Sequence, residues 1–458
     1  ALIVPGTTTL TFSDLEKAVR GTATGLLEHA RPGDIVLMRL ANTPDFPITY
    51  LACITAGLIP VPTSAQLTAT EVAGIVHDLS PALCVHDPAV TGADVPTISI
   101  ATLRSFVTRS PADYAMGDPH RPAYIVYTSG TSGTSRAVVH AHRAIWARRM
   151  MWDGWCGLMP DDRLLHAGAF NWTYTLGTGL MDPWANGATA IIPAPDTDAS
   201  ALPDLLQLER ATIFAAAPGV YRRILRAPLP DLPALRHGLS AGEKLPETLR
   251  TAWETATGKP IHEAFGMSEC STFLSGSPNR PAPSGTLGYP QPGRRVTIMD
   301  DGQIAIHRSD PGLMLGYHNQ PDETAARYRG EWFLTGDHGT QGDDGAITYT
   351  GRADDQMNAG GHRVSPVEIE SALSHHPAIT DIACAEVRLS PDLSLIAAFY
   401  VASDLLDETD LSGFAQTRLA AYKRPRLWVR VDALPRGANN KVLRRKLRQD
   451  WETTHGQA

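Results

Sequence analysis

Tyr127-Thr-Ser-Gly-Thr-Ser-Gly-Thr-Ser-Arg136 is the stretch on which the reading of this chain turns. It carries two glycines and six serine or threonine hydroxyls, directly after the apolar run Ala123-Tyr-Ile-Val-Tyr127. Gly130 and Gly133 allow a tight turn whose backbone N–H groups can close around an anion. The hydroxyls add donors, and Arg136 adds a fixed positive charge. The apolar run reads as a buried strand, and Ala141 to Trp152 reads as a helix. Strand, glycine loop, helix is an arrangement that cradles phosphate. Composition alone also admits a plain Ser/Gly surface loop. A Walker A loop is excluded, because the pattern G-x-x-x-x-G-K-[ST] is absent.

Working outward, 458 residues exceed one ordinary domain and suggest two or three units. A hydrophobic content of 43% allows large cores, and 19% charged residues is ordinary for a globular protein. The net charge of −8 argues against a nucleic-acid binder, whose footprint is a basic excess. Lys441 to Arg448 forms the one basic cluster. Cys53, Cys84, Cys156, Cys270 and Cys384 are dispersed without a C-x-x-C spacing, so unpaired thiols in a reducing cytoplasm are expected. No apolar run reaches the roughly 18–20 residues of a membrane span. The first residues lack the pattern of a signal peptide.

Ser13-Asp-Leu-Glu16 reads as a capping box opening a helix that runs to about Glu28 to Arg31 and stops near Pro32-Gly33. Asp34 to Leu40 reads as a buried strand, and Pro44 as the first residue of the next helix. Strands alternate with helices to about residue 270, implying parallel βαβ units and a helix-covered sheet. From Thr286 to Thr350 short alternating runs between Gly, Asp and Pro turns imply a small antiparallel or barrel-like sheet. The last hundred or so residues read as a compact α+β domain ending in a basic helix.

Four more segments carry candidate chemistry: Ser240-Ala-Gly-Glu243, Phe265-Gly-Met-Ser-Glu269, Trp332-Phe-Leu-Thr-Gly-Asp337 with Gly351-Arg-Ala-Asp-Asp355, and Pro435-Arg-Gly-Ala-Asn-Asn-Lys441. Taken singly, each is an ordinary turn, a surface ion pair or a charge on a solvated helix. With the glycine loop they resemble, in order and over nearly the whole chain, the motifs of the adenylate-forming superfamily. That group includes acyl-CoA and aryl-CoA ligases, amino-acid adenylation domains and luciferase. The loop is similar to that family's Thr-Ser-Gly-Thr-Thr-Gly-x-Pro-Lys-Gly.

The resemblance implies an α/β fold: a large N-terminal domain of helix-covered, mostly parallel sheets with a small β subdomain, and a small mobile α+β C-terminal domain. The implied divisions are 1–350, a hinge at 351–355 centred on Asp354, and 356–458. It implies that Thr128, Ser129, Gly130, Thr131, Ser132, Gly133 and Arg136 meet the ATP phosphates, and that Ala241, Gly242 and Glu243 line the adenine pocket. Phe265, Gly266, Met267 and Ser268 would follow the nucleotide, with Glu269 helping to hold Mg²⁺, an ion that takes a carboxylate or two plus phosphate oxygens. Asp337 would accept from the ribose hydroxyls, beside Arg352. Lys441 would bridge the substrate carboxylate and the α-phosphate, where negative charge builds. Gly360, Gly361 and Arg363 would border the path of CoA. Relatives carry an extra stretch before the equivalent of Thr9 to Ser13, so further N-terminal residues are expected.

The chain departs from the pattern in two places. Ser135-Arg136-Ala137 stands where Pro-Lys-Gly is usual, and Arg and Lys are not equivalent. Asn439-Asn440 replaces Ser-Gly before Lys441, a change that Asn's tolerance of left-handed backbone accommodates. For the acid, Phe170, Asn171, Trp172, Tyr174, Ser271 and Thr272 are the candidate lining, with Trp172 and Tyr174 able to pack a ring or an alkyl chain or to serve as core aromatics. A neutral Asn171 where amino-acid adenylation domains carry Asp counts against an amino acid. The expected activity is an ATP-, Mg²⁺- and CoA-dependent ligation of an aryl or short- to medium-chain acid. The alternatives are a free-standing enzyme loading a carrier protein, or a nucleotide-binding homologue with impaired catalysis. Monomer and homodimer both stay open.

Overall fold

Ile35-Val-Leu-Met-Arg39 forms the strand its apolar run predicts, buried from Val36 onward. It pairs in parallel with Ile59–Pro62 and Leu83–His86. Thr97–Ser99 completes this all-parallel sheet of four strands. A second, nine-stranded sheet runs in the order Thr8–Leu10, Leu2–Val4, Thr189–Ile191, Arg163–His166, Ile213–Ala215, His237–Ala241, Ile261–Met267, Ser271–Ser275, Tyr289–Pro290. The six strands from Leu2–Val4 to Ile261–Met267 are mutually parallel, and the outer strands are antiparallel. Helix-covered parallel sheets are what the alternation of strands and helices requires. One core cluster packs Phe214, Tyr221 and Trp253 together, ring against ring. Another gathers Trp155, Tyr174 and Leu239.

The structure is a computed structural model. It describes residues 1–128, 136–195, 197–242, 245–352, 357–359, 362–364, 366–390, 393–435, 442 and 444–455. Of some of these, among them Thr128, Arg352 and Arg363, only the backbone is described. Two units divide the chain: 1–65, 75–127 and 137–351 form one, and 66–74, 128–136 and 352–458 form the other. Within the first, Val296–Ile298, Gln303–His307, Trp332–Gln341, Tyr328–Arg329 and Ile347–Arg352 build the antiparallel sheet expected between 286 and 350. The second carries a three-stranded sheet of Asp381–Ser390, Leu393–Val401 and Leu427–Arg430 with helices Pro366–Leu373, Glu408–Gln416 and Arg444–His455.

Several local expectations are corrected. The first helix, Phe12–Leu26, is capped by Thr11 and not Ser13, with Asp14 completing the box. Pro44 is the cap before Asp45–Thr55 rather than its first residue. The glycine loop is followed by a strand, Arg136–Ala141, and not by a helix. Val138 is buried and Val139 half-buried, and both β-branched residues suit a pleated surface. The helix expected over 141–152 is broken into His142–Ala147 and Arg149–Met151, then a π turn at Trp152–Cys156. That turn drops Trp155 into the core, where its Nε1 donates to His262 O at 2.9 Å. Within the basic cluster, Arg444 forms a two-bond ion pair with Glu370 at 2.6 and 3.0 Å. Lys446 is exposed, four residues from its partner Asp450.

Candidate active site

Parallel strands end on one side of their sheet, and that carboxyl edge is where α/β folds bind ligands. His166, Ala215, Ala241 and Met267 are the last residues of four such strands. Ala241 and Gly242 therefore stand at this edge, with Gly242 at φ +96°. The strand Ile261–Met267 turns back through Ser268, Glu269 and Cys270 into Ser271–Ser275. Gly266 makes the return possible: a Cβ there would lie 2.2 Å from Ser271 O and 2.4 Å from Thr272 Cα. The glycine of the aromatic-Gly-x-Ser-Glu motif is thus fixed by backbone contact.

Three groups hold the turn. His140 lies 2.7 Å, through Nε2, from Ser268 O. Burial pushes the His140 imidazole down to about 4, so near neutral pH the ring is uncharged and Nε2–H donates to that carbonyl. Met314 N donates to Glu269 O at 2.8 Å, and Tyr317 Oη donates to Glu269 Oε1 at 2.8 Å. Glu269 is 9% exposed. Among the described residues no three His, Cys, Asp or Glu side chains are grouped as a metal cage. One carboxylate held by a neutral hydroxyl nevertheless suits Mg²⁺, which completes its shell with phosphate and water oxygens.

Asp337 lies in the strand Trp332–Gln341 with its residue fully buried. Its N–H donates to Thr335 Oγ1 at 3.1 Å, and Tyr349 Oη makes a long contact of 3.5 Å with Oδ1. The Tyr349 ring also meets Phe265, centroids 5.7 Å apart, while Phe273 meets Phe265 edge-on at 5.5 Å. One tyrosine thus touches the aromatic candidate for adenine and the carboxylate candidate for ribose. Arg352 ends the strand that carries Tyr349. Arg136 is buried at the start of its strand.

The acyl candidates divide. Asn42 clamps their loop, donating from Nδ2 to Gly168 O at 2.8 Å and accepting from Phe170 N at 3.0 Å. Trp172 and Tyr174 meet edge-on at 5.3 Å, beside Trp155 and His166. Tyr174 Oη donates to Leu239 O at 3.0 Å. Phe170 instead packs against Phe46 in a separate core cluster, 2% exposed, and is a core aromatic. Thr272 Oγ1 donates to Met151 Sδ at 2.7 Å. Ser271, at φ +62°, accepts from Arg148 at 3.0 Å. Arg148 is itself forked onto Asp182 at 2.8 and 2.6 Å, and a Cβ on Gly177 would fall 2.1 Å from its Cζ.

Sequence reasoning did not single out His140, Tyr317, Tyr349, Arg148 or Asp182. Each acts on a residue distant in the chain, and no local pattern marks it. Ser129, Gly130, Thr131, Ser132, Gly133, Glu243, Asp354, Gly360, Gly361, Asn439, Asn440 and Lys441 lie outside the described residues.

No helix of the described residues is long and apolar enough to cross a membrane. The chain is 30% identical to a 3-hydroxybenzoate–CoA ligase of Aromatoleum sp. (strain CIB), over 98% of this chain and 92% of the relative. It is 30% identical to the mitochondrial acyl-coenzyme A synthetase ACSM5 of Rattus norvegicus, over 96% of this chain and 84% of that one. Among solved structures, a malonyl-CoA ligase with methylmalonyl-CoA and AMP bound superposes with a TM-score of 0.84 at 26% identity, covering 95% of this chain and 96% of the other. The profile of the AMP-binding enzyme family matches residues 1–318, and that of the AMP-binding enzyme C-terminal domain matches residues 368–441. From its first residues to the segment holding Lys441, the chain belongs to the family of AMP-binding enzymes.

Proposed function

We propose that this chain is an ATP-dependent acyl-CoA ligase acting on an aryl or short- to medium-chain carboxylic acid. The acid's carboxylate oxygen attacks the α-phosphorus of ATP, and the bond to pyrophosphate breaks. The thiolate of CoA then attacks the acyl carbonyl carbon, and AMP leaves. The observation that carries this reading is Tyr349, which touches both Phe265 and Asp337. Its contacts put an aromatic face and a buried carboxylate one ring apart, a spacing that suits a base and its ribose.

In this reading Ala241, Gly242, Glu243 and Phe265 pack the adenine, while Asp337 and Arg352 take the ribose hydroxyls. The backbone and hydroxyls from Thr128 to Gly133, with Arg136, receive the phosphates. Because a strand follows that loop, its N–H groups and hydroxyls do this work without a helix N-terminus. Glu269 would hold Mg²⁺, which when bound supplies charge neutralisation on the phosphate oxygens. Lys441 stabilises the charge that develops between carboxylate and phosphorus. Gly360, Gly361 and Arg363 border the CoA path, and residues near 351–355 act as the hinge between a domain of 1–350 and one of 356–458. In this reading Trp172 and Tyr174, packed edge-on, line the acyl side, and likeness to a hydroxybenzoate ligase favours aryl acids. Five buried, unpaired cysteines suit the reducing cytoplasm.

The test is mass-spectrometric detection of acyl-CoA across benzoates and short, medium and branched aliphatic acids, each with ATP, Mg²⁺ and CoA. A thioester product supports the reading and identifies the acid class. Acyl-AMP without thioester, under saturating CoA, overturns CoA as the acceptor. Nucleotide binding with no pyrophosphate released from any acid overturns the ligase reading itself.

A further inference from the structure

The segment from Leu313 to His318 joins two parts of the site that are distant in sequence. Its backbone zips onto the strand that leaves the glycine loop: Tyr317 pairs with Val138, His318 N donates to Ala137 O at 2.8 Å, and Leu315 N donates to Val139 O at 2.7 Å. The same segment grips Glu269 twice, through Met314 N on its carbonyl and Tyr317 Oη on its carboxylate, both at 2.8 Å. Tyr317 is 4% exposed, so its ring is fixed by packing as well as by the ladder. Among the described residues it is the one side chain that hydrogen-bonds Glu269.

We propose that Tyr317 is a positioning residue for the carboxylate of Glu269. It binds Oε1, leaves Oε2 to face a divalent cation, and ties that oxygen in register with the strand following the phosphate loop. Such outer partners fix the orientation of a ligating carboxylate. The hydroxyl is neutral, so it orients Glu269 without cancelling the charge that a cation needs. This inference rests on the proposed role of Glu269 and adds to it a residue that never touches the metal or the substrate.

The test is Tyr317→Phe, which removes one oxygen and keeps the ring in its packing. Mn²⁺ binding in the presence of ATP, read by electron paramagnetic resonance, gives a readout independent of turnover. Tyr317→Phe should weaken Mn²⁺ affinity by about tenfold or more. Half-saturating Mg²⁺ should rise in parallel, with kcat recovering at high Mg²⁺ and the acid KM unchanged. Glu269→Gln is measured alongside. If it weakens Mn²⁺ binding while Tyr317→Phe does not, the positioning role is overturned and the metal assignment stands. If Glu269→Gln has no effect on Mn²⁺, the metal assignment falls and the inference with it. A fall in kcat for Tyr317→Phe that high Mg²⁺ does not restore also overturns the proposal.

Discussion

Glu269 and Asp182 are two buried carboxylates of the same unit, 9% and 1% exposed, and they are answered in opposite ways. Asp182 meets a guanidinium in a two-bond fork from Arg148, with Trp152 Nε1 adding a long contact at 3.4 Å. Among the described residues, Glu269 meets only a phenol. A fork of this kind neutralises the charge where it stands, and the pair then serves packing. A neutral donor orients a carboxylate and leaves its charge available to a ligand. On this reading the metal side of the site keeps its charge in reserve, whereas the acyl side uses its charge to hold its walls.

The sharpest way to break the contrast is to neutralise each carboxylate in turn. Asp182→Asn leaves the Arg148 guanidinium buried without its counter-ion, a loss of about 3–5 kcal/mol in stability. Glu269→Gln should change stability by no more than about 1 kcal/mol, yet lower pyrophosphate release by roughly a hundredfold or more. Urea melts and single-turnover pyrophosphate release on both variants decide it. Equal destabilisation by the two substitutions would mean that Glu269 is structural as well.

Lys441 extends the comparison to the other side of the reaction. If its charge is reserved for the transition state, Lys441→Ala should cost about 2.7–4 kcal/mol in the adenylation barrier. Thermal stability and thioester formation from supplied acyl-AMP should be spared. A matching loss in both half-reactions would remove it from the role.

A smaller effect, graded with pH, comes from histidines buried on both sides. Burial holds His140 and His237 down to about 4, and His166 and His262 to about 3. In the unfolded chain each titrates near 6.5. As pH falls below 6.5 the unfolded chain takes up protons first, so stability is present above that value and declines toward the folded pKa. Each histidine contributes about 1.4 kcal/mol per pH unit to the slope. Urea midpoints at pH 7, 6 and 5 should therefore fall, and His140→Gln should flatten the trend. A midpoint constant from pH 7 to pH 5 contradicts the burial argument.

The proposed metal and nucleotide side rests on motifs, because that chemistry demands particular residue types in a fixed order. Phe265, Gly266, Glu269 and Asp337 are found by motif, and the structure gives a backbone reason for Gly266. Their partners were not legible. Tyr317 acts across 48 residues and His140 across 128, and hydrogen bonds between strands leave no local spacing to read. On the acyl side Phe170 enters a different core cluster from Trp172 and Tyr174, and an aromatic in an apolar context cannot announce which of two cores it enters. The strand after the glycine loop did carry a signal in Val138-Val139, which the expectation of a phosphate-binding helix masked.

The smallest effect concerns the first helix. Ser13 with Glu16 matches the capping-box pattern, whereas Thr11 has Asp, and not Glu or Gln, three residues on. The structure uses Thr11: its Oγ1 accepts from Asp14 N at 3.1 Å, and Asp14 Oδ2 accepts from Thr11 N at 2.9 Å. Leu15, Ala18 and Val19 of this helix face the core. Thr11→Ala should therefore cost about 1 kcal/mol, and Ser13→Ala only a few tenths. The Asp14 carboxyl, held below its ordinary value first by the Thr11 hydroxyl, should titrate higher in Thr11→Ala and stay unmoved in Ser13→Ala. Nuclear magnetic resonance titration of that one carboxyl separates the two caps even where a melt cannot.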